Sequence, residues 1–208
     1  TNGDGAVDVD LPGLGADPLH MDLFVEVDWM VDSGHTHEPW LPALINAVQE
    51  FKNSAPMSNP DGTSGIMLHV DVGSLYDGGY TVDFNNDGTA ELGPFRGGNV
   101  NVIGPAGSPP EIGNFGGGNP LTHDNVLSIC GAGSDLGAIQ GANFDENRKG
   151  IFRYAVFGHQ YDDPDETSSG FACAGDLFIV TLANQKAAGG TAWEIGRASC
   201  RERVCHRV

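Results

Sequence analysis

Apolar and polar residues alternate near the start of the chain, between Asp22 and Met30. One face of this segment carries only apolar side chains: Leu23, Val25, Val27 and Trp29. The opposite face mixes apolar and acidic side chains: Phe24, Glu26, Asp28 and Met30. A period of two residues predicts a β-strand, because successive side chains of a strand project to opposite faces. The mixed second face indicates that it does not simply contact solvent.

A helix and a second strand are predicted next. Pro39 suits a first helical turn, and apolar residues then recur at helical spacing: Trp40, Leu41, Leu44, Ile45, Val48 and Phe51. We expect this helix to end between Asn53 and Pro56. The segment Gly65 to Gly73 alternates again and predicts a strand. The order strand, helix, strand is typical of a parallel pair joined by a right-handed crossover.

The second half of the chain predicts two more strands, Ile151 to Gly158 and Asp176 to Leu182. The latter is a continuous apolar run, which is typical of a strand covered on both faces. Residues 93–150 are rich in Gly, Pro and Asn and show no clear period, which predicts a long loop region, functional or ordered by ions. The expected fold class is therefore mixed α/β (α+β), with a mostly parallel sheet, a crossover helix and long Gly-rich loops.

The composition restricts the partners. The 208 residues are enough for one domain with a sizeable core. They include 10 Lys+Arg and 28 Asp+Glu, which gives a formal net charge of -18. Such a field repels nucleic acids and anionic membranes and attracts cations, so we expect neither a nucleic-acid nor a membrane partner.

The composition changes abruptly at Glu194. The run EIGRASCRERV resembles the translation of a sequencing-library adapter, so residues 194–208 are interpreted as read-through rather than native sequence. Cys130 and Cys173 are then the native cysteines. In an extracellular protein they could form one disulfide, whereas two buried free thiols fit the sequence nearly as well.

Two Asp-rich segments have the spacing of calcium-binding loops. Asn2, Asp4 and Asp8 fit positions 3, 5 and 9 of a D-x-[DN]-x-D-G-x-x-[DE] loop whose first position would precede Thr1. Calcium is the expected ion because it takes six to eight hard oxygen ligands, and a glycine at position 6 lets the loop turn around it. The alternative for this segment is a solvated acidic terminus.

The second candidate calcium loop has its ligands at four positions: Asp83, Asn85, Asp87 and Glu91. Pro94 stands at position 12, where an EF-hand has a bidentate carboxylate. The alternative is a simple hairpin, because Asn86-Asp87-Gly88 is also a good turn sequence.

Other ionisable residues are candidates for a metal site or for acid–base chemistry. Glu26 and Asp28 share a strand face, and Asp71 follows His69 on the next strand. For these carboxylates we favour the alternative that they pair with loop backbone or cap a sheet edge.

Histidines in loops form a further group of candidates. His35 and His37 match an H-x-H metal pair, although a polar loop after a strand is the simpler explanation for them. His159 precedes an acidic loop and is open to both interpretations. A G-x-S-x-G elbow, a Walker loop and an HExxH sequence are absent from the 208 residues. The usual helical zinc site of a hydrolase therefore has no ligands in this sequence.

Three segments resemble a bacterial family of secreted metalloprotease-like domains related to the zincins. They are GLGADPLHMDLFVEVDWM at 13–30, NPDGTSGIMLHVDVG at 59–73 and GIFRYAVFGHQYDDPDETSSGFACAGDLFIVTL at 150–182, about a third of the chain, in the family's order. The resemblance implies a secreted protein with a zincin-like fold that hydrolyses polypeptide substrates with a zinc-bound water.

In this family the zinc ligands come from an HExxH helix that follows a linker like Gly189-Gly190-Thr191. The adapter-like tail begins where that helix is expected. We therefore expect residues 1–12 to be a calcium-loop remnant and 13–193 the front part of a protease-like domain, without peptidase activity of its own. The alternative is a calcium-stabilised extracellular binding or structural module.

Overall fold

A computed structural model describes residues 7–33, 36–54, 58–76, 100–103, 108–162, 170–173 and 176–181. The strands in this part of the chain are β1 (Asp22–Val31), β2 (Met67–Asp71), β3 (Ile112–Gly113), β4 (Pro120–Thr122), β5 (Phe152–Gly158), β6 (Gly170–Ala172) and β7 (Leu177–Thr181). The helices are α1 (Leu41–Lys52) and α2 (Asp135–Asn143), and a short 3-10 turn spans Glu146–Arg148.

The seven strands form one sheet in the order β3-β2-β1-β5-β7-β6, and β4 pairs with the end of β1. All pairs between these strands are parallel except that of β6 with β7. The predicted mixed α/β class with a mostly parallel sheet is confirmed. The predicted parallel crossover is also confirmed, since β1, α1 and β2 follow one another and the two strands pair in parallel.

The two faces of β1 contact different cores. The apolar face packs with α1 in a cluster that includes Val25, Val27, Trp29 and Val48. The mixed face packs with α2 and with the segment that precedes β1, in a cluster that includes Met30. Both faces of the central strand are buried, which explains why even Glu26 and Asp28 are 1% or less exposed.

The prediction of an irregular region from 93 to 150 was wrong in part. Within its described residues, this region contains β3, β4, α2 and the 3-10 turn. Ser134 caps the start of helix α2, where its hydroxyl accepts a hydrogen bond from Gly137 N, but the helix buries only Leu136. Helix α1 starts at Leu41 with Pro42 in its first turn, so Pro39 lies before the helix rather than inside it.

Cys130 and Cys173 form a disulfide, with Cα atoms 5.7 Å apart. The bond joins the segment before α2 to the connection between β6 and β7. Of the two alternatives that the sequence left open, a disulfide or two buried free thiols, the structure shows the disulfide. Among the described residues, the helices are too short or too polar to span a bilayer.

Candidate metal centre

Three histidines follow the carboxyl ends of parallel strands. His123 comes directly after β4, His159 directly after β5, and His37 shortly after β1. Because β4 and β5 both pair in parallel with β1, these three ends lie at the same edge of the sheet. Ligand sites of open parallel sheets occur at that edge, where loops from several strands converge.

The three imidazole rings form a nearly equilateral triangle. The ring centroids of His37 and His123 are 5.3 Å apart, and each is 5.2 Å from the centroid of His159. His159 Nδ1 lies 3.3 Å from His37 Nε2, and one nitrogen of each ring lies within 4.8 Å of the other two. His37 is buried and the other two are half-buried, so the cluster lies between core and solvent.

The spacing and the donor atoms suit a transition-metal ion. Zn–N bonds of about 2.0–2.1 Å at tetrahedral angles place two ligand nitrogens about 3.3–3.4 Å apart. The distance between His37 Nε2 and His159 Nδ1 matches this value at 3.3 Å. Imidazole binds zinc, copper and nickel well, whereas calcium prefers carboxylate and carbonyl oxygens. The cluster therefore fits zinc much better than calcium.

An acidic side chain lies beside the cluster. Asp32 Oδ2 is 3.8 Å from His123 Nδ1, which is an ion-pair distance rather than a hydrogen bond. Asp32 and His123 also line an open depression together with Val31 and Leu121. A carboxylate at this distance favours positive charge in the cluster, including that of a bound metal ion.

Backbone hydrogen bonds hold the three histidine-bearing segments together. His37 N donates to Met30 O over 2.8 Å, and His123 N donates to Val31 O over 3.2 Å, so two of the segments are attached to β1. The segments that follow His123 and His159 are joined by Leu127 N, which donates to Gln160 O over 2.9 Å. The cluster is thus supported by main-chain contacts that do not depend on the imidazoles themselves.

A buried charged network lies under the mixed face of β1. We define it as Glu26, Asp28, Asp71, Arg148 and Tyr154, residues that are all at most 6% exposed. Arg148 Nη1 donates to Glu26 Oε2 over 2.5 Å and to Asp71 Oδ2 over 2.7 Å. Tyr154 Oη donates to Asp28 Oδ2. The guanidinium also lies over the ring of Phe152, 4.4 Å from its centroid.

Burial controls the protonation of this network. Desolvation raises the pKa of Glu26 from 4.5 to about 7, although the charge of Arg148 opposes the rise. Desolvation likewise raises the pKa of Asp28 from 3.8 to about 6, against the hydrogen bond from Tyr154. The pKa of Tyr154 is raised by burial and by the neighbouring carboxylate of Asp28. Both carboxyl groups therefore change charge close to neutral pH.

The network holds residues 114–119, which we call the glycine loop. Asp71 Oδ1 accepts from Phe115 N over 2.9 Å, and Asp71 Oδ2 accepts from Gly117 N over 2.7 Å. Asp28 Oδ1 accepts from Asn119 N over 2.6 Å. The favoured alternative for these carboxylates, pairing with loop backbone, is confirmed for Asp28 and Asp71.

The chain was also compared with known proteins. No family model, no curated protein and no solved structure matched it.

Most of the predicted calcium ligands lie outside the described residues: Asn2, Asp4, Asp83, Asn85, Asp87 and Glu91. Asp8 is described and half-buried, but it does not belong to the histidine cluster, the candidate metal-ligand group found in the described part of the chain. His35 also lies outside the described residues.

The structure brings together two of the predicted histidines, His37 and His159, and adds a third that sequence reasoning missed. His69 instead pairs with Asp22, with His69 Nε2 2.9 Å from Asp22 Oδ1. The missed residue, His123, follows the three-residue strand β4, in which only Leu121 is buried. A histidine directly after a strand is the signal that could have identified it, had β4 been predicted.

Proposed function

We propose that this chain is a zinc-binding domain in which His37, His123 and His159 hold the ion. The observation that carries the proposal is the triangle of rings at the carboxyl edge of the sheet, with two nitrogens already 3.3 Å apart. Three imidazoles are a sufficient protein ligand set for zinc.

The direct test is metal titration of the chain with Zn²⁺ and, for its visible spectrum, with Co²⁺. We expect one ion per chain and loss of this binding in His123→Ala. His20→Ala is the matched control, since it removes an imidazole that is outside the cluster. The variants keep Cys200, Cys205 and His206, which are also possible metal ligands. If His123→Ala still binds one ion as tightly as the wild type, residues outside the cluster bind the metal and the proposal is refuted.

The second candidate function is zinc-dependent hydrolysis of polypeptides by a secreted protein. Three protein ligands leave a coordination position for water or substrate, as in catalytic zinc sites, whereas structural sites usually have four protein ligands. A zinc ion bound there supplies Lewis-acid activation. His123 lines an open depression, so one edge of the cluster lies close to solvent.

The peptide substrate, the zincin-like fold and secretion are proposals that rest on the three matching segments. The disulfide between Cys130 and Cys173 supports secretion, because such bonds persist in oxidising compartments. The two lines of reasoning predict different outcomes: the missing HExxH predicts no cleavage by this chain, whereas a catalytic zinc ion on the three histidines predicts zinc-dependent cleavage. Zinc-dependent cleavage of a casein or peptide-library substrate that is lost in His123→Ala would instead assign hydrolysis to the three histidines.

A further inference from the structure

The glycine loop leads directly into β4 and therefore to His123. Strand β4 has only three residues, and it is aligned with β1 through the pairs of Trp29 with Pro120 and Val31 with Thr122. So short a ladder is weak by itself, since isolated short strand pairs are marginal in water. Contacts outside this three-residue ladder therefore help to hold the register of β4 against β1.

The consequence of a register error for a metal site is large. A slip by one residue moves the chain by about 3.3 Å and turns each side chain to the opposite face. Metal sites require ligand distances within about 0.2 Å of their ideal values. His123 can therefore complete the histidine triangle only when β4 has its observed alignment with β1.

The buried charged network supplies this alignment. Asp28 lies on β1 itself and accepts a hydrogen bond from Asn119 N, the residue just before β4. Next to this contact, Trp29 N donates to Asn119 O over 3.1 Å, so both polar groups of the Asn119 backbone are bound to β1. A one-residue slip would break both contacts inside the protein, where an unsatisfied polar group costs about 1–3 kcal/mol.

The other end of the glycine loop is held by charge. Arg148 Nη2 donates to Phe115 O, and Asp71 binds the amides of Phe115 and Gly117. A methyl group on Gly117 would overlap Glu26 Cδ and Arg148 Nη1. These two side chains are buried and bonded to each other, so neither can move away without breaking an ion pair.

We propose that the buried charged network positions His123, and thereby sets the metal affinity of the histidine cluster, by fixing the glycine loop and the register of β4. This inference rests on the proposed zinc-binding function. In it, Asp28, Asp71 and Arg148 are positioning residues that do not touch the metal.

The test measures Co²⁺ affinity, the visible Co²⁺ spectrum and the melting temperature of the metal-free chain. Two variants disturb the loop in different ways: Gly117→Ala by overlap and Asp28→Ala by loss of the contact with Asn119. Asp28→Asn is the conservative variant, because its Oδ1 can still accept from Asn119 N. Gly141→Ala in α2 is the control, since nothing lies within 4 Å of the added methyl group.

We expect Gly117→Ala and Asp28→Ala to bind Co²⁺ about 10–100-fold more weakly, the usual effect of removing groups that orient metal ligands. Asp28→Asn should restore most of the affinity, and Gly141→Ala should bind Co²⁺ with the affinity and the spectrum of the wild type. The Co²⁺ spectra of Gly117→Ala and Asp28→Ala should also change. A uniform loss of stability would not cause such a change.

The two proposals fail in different ways. If the wild type binds Co²⁺ and folded Gly117→Ala and Asp28→Ala bind it equally well with the same spectrum, the positioning role is refuted and the zinc site stands. If the wild type binds no Co²⁺ through the histidines, both proposals are refuted. If Asp28→Ala does not fold, the comparison of Gly117→Ala with Gly141→Ala decides by the same criterion.

Discussion

Replacing Glu26 with Gln should remove a pH-dependent cost that the fold carries at neutral pH. Glu26 is 1% exposed, and desolvation raises its pKa from 4.5 to about 7. The folded chain therefore binds this proton more tightly than the unfolded chain does. For a carboxyl group with a raised pKa, stability is greatest below the unfolded pKa and falls as the pH rises through 4.5 to 7.

The size of the effect follows from the pKa difference. At 1.36 kcal/mol per pKa unit, the rise at Glu26 corresponds to at most about 3 kcal/mol of stability lost between pH 4.5 and pH 7. In Glu26→Gln the amide oxygen can still accept from Arg148, and Asp71 still balances the guanidinium charge. The variant should therefore approach the wild type at pH 5 and exceed its stability by about 1–3 kcal/mol at pH 8.

The assay is urea unfolding of the metal-free chain at several pH values between 5 and 8. Glu50→Gln is the matched control, because it makes the same chemical change at an exposed residue of α1. Identical pH dependence in the wild type and in Glu26→Gln would refute this reasoning. So would a Glu26→Gln variant that is less stable than the wild type at pH 8.

Three further outcomes are expected. Cys130→Ala combined with Cys173→Ala should lower the free energy of unfolding by up to about 4 kcal/mol for cysteines 43 residues apart, and equal urea midpoints of the oxidised and reduced wild type would argue against this. Gly141→Ala should raise stability by about 0.5–1 kcal/mol, because alanine is the better helix former and the site is open; a loss of stability would count against it. Millimolar Ca²⁺ should raise the melting temperature of the chain. If the second Asp-rich segment binds the ion, Asp87→Asn should reduce this rise. A melting temperature of the wild type that does not respond to Ca²⁺ would exclude both candidate loops at that concentration.

The strands and the helix with clear hydrophobic periods could be predicted from sequence. β1 and α1 were found because ten and twelve residues are enough to show a period. β3 and β4 contain two and three residues, which is too few to show any period. Helix α2 buries only Leu136, so its sequence lacks the apolar stripe of an amphipathic helix.

The candidate site was harder to predict for a different reason. His37, His123 and His159 are far apart in sequence, and their proximity depends on β4 and β5 pairing with the same strand. That topology is not visible in local patterns. The carboxylates were more accessible to sequence reasoning, because the alternation in β1 already placed Glu26 and Asp28 on one face of a strand. A structural role, as a sheet-edge cap or a partner of loop backbone, was favoured because carboxylates at such positions most often have one.

X-ray absorption at the zinc edge of the zinc-loaded chain tests the central claim most directly. The account predicts three imidazole nitrogen ligands at about 2.0–2.1 Å, and loss of one of them in His123→Ala. Sulfur ligands at about 2.3 Å, or an imidazole signal that is unchanged in His123→Ala, would place the ion elsewhere in the chain and contradict the account.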